Sequence, residues 1–215
     1  MISRRRLLGV ATGAGALILV PGVPAFAVAT HKWTRNRSAN GWAIEPGAVG
    51  PYRIEGSKAS VVLRRGPVAV VLLHVARRWH YELASLDDGE RLVAGYTTDR
   101  TVRADFESNY LSGTAIGLYP DAYPVGGSER LWPHQEVVVR DILADCEGTV
   151  GWGGDLAPAT YSHFQVLAKP GDKALARVAE RLDPTKPPER RRQLPGMVAD
   201  PASPARRELA GRIPR

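Results

Sequence analysis

Residues 108–117 read Ser108-Asn109-Tyr110-Leu111-Ser112-Gly113-Thr114-Ala115-Ile116-Gly117. A polar segment with one glycine runs directly into the apolar segment Thr114 to Tyr119, which is short enough to predict a strand rather than a helix. A second glycine-rich segment, Trp152-Gly153-Gly154-Asp155, is followed by Ser162-His163-Phe164-Gln165-Val166. It predicts two further strands, Thr149 to Trp152 and Phe164 to Ala168. Ser60-Val61-Val62-Leu63 is a fourth, β-branched and ended by Gly66. Between the strands lie helical patterns. Val68, Val71, Leu72, Val75, Trp79 and Leu83 recur at i, i+3, i+4 spacing behind Pro67, which predicts a helix of about four turns. Another helix is expected from Pro133 to just before Gly148, and a third from Asp172 to about Leu182. Helices and short strands mix without a regular βαβ repeat. The expected class is therefore α+β, a single compact domain with a small, mainly antiparallel sheet packed by helices.

Charge divides the chain more sharply than length does. Of the 215 residues, 29 are Lys or Arg and 22 are Asp or Glu, a net +7. Residues 1–27 carry Arg4, Arg5 and Arg6 and no acid, while residues 183–215 carry eight bases against four acids. The intervening 28–182 balance at 18 of each, so no basic, nucleic-acid-reading core is expected. At 155 residues this body is long enough to bury a core, and a 44% hydrophobic content excludes wholesale disorder.

The flanks have distinct characters. Ser3-Arg4-Arg5-Arg6 precedes the apolar run Leu7 to Val20, and Ala25-Phe26-Ala27 follows with small residues at alternate positions. Basic, apolar, then A-x-A is the order of a secretory signal, with cleavage expected after Ala27. An uncleaved anchor is the alternative, but about 14 residues of helix span only ~21 Å of a ~30 Å hydrocarbon core. The paired arginines resemble a twin-arginine signal, which implies export of an already folded protein. No membrane span is expected after cleavage. The C-terminal flank is broken by Pro184, Pro187, Pro188, Pro195, Pro201, Pro204 and Pro214, and is expected to be a largely disordered tail. Its Arg190-Arg191-Arg192 run suits anionic wall polymers or lipid head groups, or simply keeps the tail solvated. The single cysteine, Cys146, lies on an apolar helix face and reads as a buried structural thiol.

The two glycine-containing segments also carry a resemblance. Residues 108–117 resemble the S-N-H-x-S-G-T-A-I-D signature of the zinc D-alanyl-D-alanine carboxypeptidase family, which cleaves peptidoglycan peptides. Trp152 to Asp155 with Ser162 to Val166 resembles that family's W-G-G-D…M-H-F-E-I block. Asn40-Gly41-Trp42, Arg78-Trp79-His80-Tyr81-Glu82 and the helix Ile142 to Gly148 look like further family segments, so the resemblance spans roughly residues 31–182. It implies the D-Ala-D-Ala carboxypeptidase-like fold, a zinc cofactor and peptidoglycan stem peptides as partners.

The chemistry carries over incompletely. The family's first zinc ligand, a His, falls on Tyr110, and its Asp ligand falls on Gly117. The third ligand is His163, and the family's catalytic carboxylate falls on Thr160. A hydrolytic zinc site needs three protein ligands, an open water position and a base for that water. Zinc is therefore expected from the family but not in this chain. The expected function is an exported, peptidase-like protein without catalysis that binds or regulates at the cell wall. The alternative is an active metal-dependent D-alanyl-D-alanine carboxypeptidase or wall endopeptidase with replacement ligands drawn from Tyr110, Asp105, Glu107, Asp121, Asp155, His80 or His134. Asp155 reads better as a loop-orienting group, His80 as a satisfied structural histidine and His134 as exposed; His74 has no expected site role. By the same resemblance, Arg100 or Arg103 would bind the substrate carboxylate, with Ser112 as a further substrate contact. Surface arginines are the plainer reading of that pair. No G-x-S-x-G and no phosphate-cradling glycine loop occurs.

Overall fold

The structure, a computed structural model, describes residues 29–185 and 204–212. The expected export signal and the Arg190 to Arg192 run lie outside the described residues. Within them the chain is a single compact α+β domain with small antiparallel sheets packed against helices.

The elements in chain order are β1 (His31–Lys32), β2 (Val49–Arg53), β3 (Ser60–Arg64), α1 (Pro67–Glu82), β4 (Val93–Ala94), β5 (Thr101–Val102) and α2 (Ser108–Leu111). They continue with β6 (Ala115–Leu118), α3 (Pro133–Asp145), β7 (Val150–Trp152), β8 (His163–Val166), α4 (Lys173–Leu182) and α5 (Pro204–Gly211). The main sheet has the order β4-β6-β8-β7, every pair antiparallel. Two-stranded ribbons, β1 with β5 and β2 with β3, flank it.

Helix α1 forms where its periodicity demands. Pro67 occupies the first turn, where its missing N–H would have had no partner. Val68, Val71, Leu72, Val75 and Trp79 then fall on one buried face. Trp79 meets Phe164 of β8 edge to face, with ring centroids 5.8 Å apart. This contact ties the helix layer to the sheet centre, and truncating either ring to Ala should cost about 3–5 kcal/mol. Helix α4 packs on α1 through Leu175, Val178, Ala179 and Leu182. Its N-cap is Asp172, whose carboxylate accepts from the Ala174 N–H at 2.7 Å.

Two differences from the sequence expectations have clear causes. Strand β2 is not among the strands predicted from the sequence, yet it pairs along its full length with β3. Gly50 and Pro51 hide it, because they break the alternation that marks a strand; the outer strand of a two-stranded ribbon tolerates a proline. Within the segment expected to be a largely disordered tail, Pro204–Gly211 form a helix that packs on α3. Its attachment is ionic, and so invisible to a search for apolar periodicity.

The motif glycines have steric explanations. Gly113 has φ +69°, and a Cβ there would stand 2.7 Å from the Arg64 backbone nitrogen. A Cβ on Gly153 would stand 2.2 Å from the Thr160 carbonyl oxygen. The S-G-T turn is thus pressed against β3, and the W-G-G-D turn against the segment that leads into His163.

Candidate functional site

Gly117 and His163 sit opposite one another in the β6–β8 register. This pairing places the two motif segments side by side. Tyr110, on the short helix α2, reaches across to them. Its phenolic oxygen lies 3.0 Å from His163 Nδ1. A Cβ built on Gly117 would lie 2.9 Å from that same oxygen. Positions 117 and 163 therefore both point at the Tyr110 hydroxyl, which fills the place where their side chains would meet.

The protons in this cluster can be assigned from a backbone donor outward. The Asn40 N–H donates to Asn109 Oδ1 at 3.1 Å, so the Asn109 amide turns its NH2 toward Gln165. Asn109 Nδ2 donates to Gln165 Oε1 at 2.6 Å. That oxygen also faces His163 Nε2 at 3.0 Å, so Nε2 must carry the proton. Nδ1 is then the bare nitrogen, and the Tyr110 hydroxyl donates to it. The chain of donors runs Tyr110 to His163 to Gln165, with both imidazole nitrogens committed.

Burial reinforces this neutral form. His163 is 1% exposed, and burial pushes its pKa down to about 4, against a smaller upward pull from the Gln165 hydrogen bond. The Tyr110 hydroxyl is pushed well above its ordinary value, first by burial and second by the Glu107 carboxylate. Neither group is a ready base or phenolate near neutral pH. Phe106 and Tyr110 also contact the imidazole ring, with centroids 5.0 and 5.2 Å away.

A pocket of about 160 Å³ opens beside this wall. Tyr110, His163, Thr160 and Ser162 form one side, Pro120 and Pro124 line part of the rest, and Arg103 and Glu107 bring the charges. Thr160 and Ser162 both donate to the Tyr123 carbonyl, at 3.2 and 2.8 Å. They pin the 120s loop to the segment before His163 and leave no free hydroxyl aimed at a substrate.

The remaining expected site residues separate. Arg103 lines the pocket. Arg100 does not: its guanidinium donates to the carbonyls of Trp33 and Arg35, at 3.2 and 3.0 Å, which corrects its expected substrate role. Ser112 is also corrected. It is fully buried and hydrogen-bonded to the Asn109 carbonyl and the Thr114 hydroxyl, so it holds the turn. Asp155 orients its loop through a forked pairing with Arg140, whose guanidinium also lies over Trp152. His80 accepts from the Leu86 N–H at 2.9 Å, a structural contact, and His134 is exposed. Cys146 is buried, and burial raises its thiol far above the ordinary range. Glu107, one of the candidate replacement ligands, lines the pocket, as do Phe106 and Ser162. Phe106, Ser162 and Gln165 were given no site role from sequence, although Ser162 and Gln165 lie inside the second motif block.

The donor set does not fit zinc. One imidazole with both nitrogens hydrogen-bonded, a phenol with a raised pKa, a glycine and a tied threonine hydroxyl offer no tetrahedral set of anionic or imidazole ligands. Among the described residues no three His, Cys, Asp or Glu side chains come together as a metal site. Comparison of the chain with family models, with curated proteins and with solved structures found no match. Among the described residues no helix is long and apolar enough to cross a membrane.

Proposed function

We propose that this chain is an exported, non-hydrolytic recognition protein whose pocket binds peptidoglycan stem peptides. The observation that carries this reading is the Tyr110 hydroxyl. It occupies the point on which positions 117 and 163 converge, so the place of a hydrolytic centre has become a closed, hydrogen-bonded wall. The pocket beside that wall remains open and keeps one exposed guanidinium, Arg103, suited to a peptide carboxylate. Losing a reactive centre does not by itself remove a groove.

The test is a pull-down of the mature chain on purified peptidoglycan, with titration calorimetry against a stem peptide ending in D-Ala-D-Ala. Binding without cleavage, weakened by Arg103→Ala, is the expected result. Cleavage of the peptide in the presence of added zinc would replace this reading with an active peptidase. Absence of binding to both sacculus and peptide would leave the domain a scaffold for some other partner and end the wall-peptide proposal.

A further inference from the structure

A second polar site lies among α1, α3 and α5, and none of its residues lines the pocket. Asp141 and Asp145 stand one turn apart on α3, and both are almost fully buried, at 2% and 3% exposure. Two like charges at this spacing repel unless cations meet them. Two guanidiniums do so, one on each side. Arg78 of α1 donates to Asp141 Oδ2 at 2.9 Å and to Asp145 Oδ2 at 2.8 Å. Arg206 of α5 donates to the other oxygen of each: Asp141 Oδ1, and Asp145 Oδ1 at 2.9 Å. It also donates to the Asp141 carbonyl at 3.0 Å.

His74 completes the floor. Arg77 donates to His74 Nδ1 at 3.1 Å, so His74 is protonated at Nε2 and donates to Asp145 Oδ2 at 3.1 Å. Burial would raise the Asp145 carboxyl, but the His74 hydrogen bond and the charges of its neighbours, Arg78 and Arg206 among them, hold it well below the usual carboxylate range. Glu82 also pairs with Arg78. Without Arg206 the carboxylates of Asp141, Asp145 and Glu82 would be met directly by Arg78 alone, because Arg77 is held by Glu55 and His74, and Arg181 by Glu147 and the Asp145 carbonyl.

Helix α5 contributes little else. None of its described side chains is buried, and Leu209 is 43% exposed. Its docking therefore runs mainly through a guanidinium fork rather than an apolar face. We propose that the Asp141–Asp145 cup is an exchangeable docking site for an arginine-bearing helix, filled in this chain by its own C-terminal helix α5. The floor, built by α1 and α3 and anchored in the core, is preformed. Arginine suits it better than lysine because one planar fork reaches both carboxylates and a carbonyl at once. Arg78 and the cup belong to the body, so the site persists when α5 leaves and then accepts a basic segment of the same chemistry.

The experiment uses the full-length chain carrying Arg206→Gln, with hydrogen exchange of residues 204–211 and a labelled peptide of residues 200–215 added in trans. Exchange in α5 should accelerate about tenfold or more over the parent, because a charge-assisted fork is lost. The parent peptide should bind the Arg206→Gln chain, and a peptide carrying the same substitution should bind about tenfold more weakly or worse. Arg206→Lys should fall between the two. Unchanged α5 protection in Arg206→Gln would overturn the proposal, and so would equal binding of the two peptides. Loss of the near-ultraviolet circular dichroism of the body in Arg206→Gln would also overturn it, by making α5 an integral part of the fold.

Discussion

Acidification should reach His163 through a calculable path. The imidazole is neutral in the folded chain with a pKa of about 4, against the ordinary 6.5 that it regains on unfolding. Between those values the unfolded chain binds more protons, so stability falls as pH falls. The contribution is complete above about pH 6.5, declines through the window and is lost below about pH 4. The full difference is on the order of 3 kcal/mol, of which about 2 kcal/mol is gone at about pH 5. That is a large fraction of the margin by which a domain of this size is stable. His74 and Asp145 push in the same direction, so the parent alone does not isolate His163. Urea unfolding of the parent and of His163→Gln, each at about pH 7.5 and about pH 5, separates them: the parent should lose about 2 kcal/mol more than the variant. Imidazole nitrogen shifts by NMR should report a bare Nδ1 and a protonated Nε2 for this residue. Equal losses in the two proteins, an Nδ1–H tautomer, or titration of His163 near 6.5 would refute the proton assignment and the buried hydrogen-bond chain built on it.

Other consequences can be checked with single changes. Tyr110→Phe leaves Nδ1 buried without its donor and should cost about 1–3 kcal/mol in thermal or urea unfolding. Gly117→Ala should cost about 1–3 kcal/mol in the parent by crowding the Tyr110 hydroxyl, and clearly less in a Tyr110→Phe background; an additive double-mutant cycle would disprove that contact. Ser112→Ala should lower stability by about 1 kcal/mol while leaving stem-peptide affinity unchanged, whereas Arg103→Ala should do the reverse. The combined change Tyr110→His, Gly117→Asp, Thr160→Asp clears the phenol and adds donors around His163, so it should bind zinc in a metal titration where the parent takes up none.

Much of the architecture was legible in the chain itself. The face of α1 through Val68, Val71, Leu72, Val75 and Trp79 lies where its spacing puts it. The strands at 60–64, 115–118 and 150–152 lie within a residue or so of their expected bounds. Such features depend on neighbours a few residues away, and local periodicity records them. Strand β2 escaped notice because Gly50 and Pro51 erase that record. Helix α5 escaped because its partners, Asp141 and Asp145, are more than 60 residues distant in sequence.

The site divides in the same way. Tyr110 and Gly117 stand where the resemblance would put a His and an Asp, and that much is visible in the motif. What they meet was not visible. Arg100 and Arg103 are three residues apart, yet one braces the segment that follows β1 and the other lines a pocket. The Tyr110 hydroxyl meets His163 only because β6 and β8 pair in a register that sets residue 117 opposite residue 163. Periodicity and steric demand act over a few bonds and are written into composition and spacing. Convergence of side chains from separate elements is set by strand register and core packing, where a one-residue slip would turn each side chain to the other face. The sequence thus carries the elements and the identities of Tyr110, Gly117 and His163, and the packed sheet decides how these three meet.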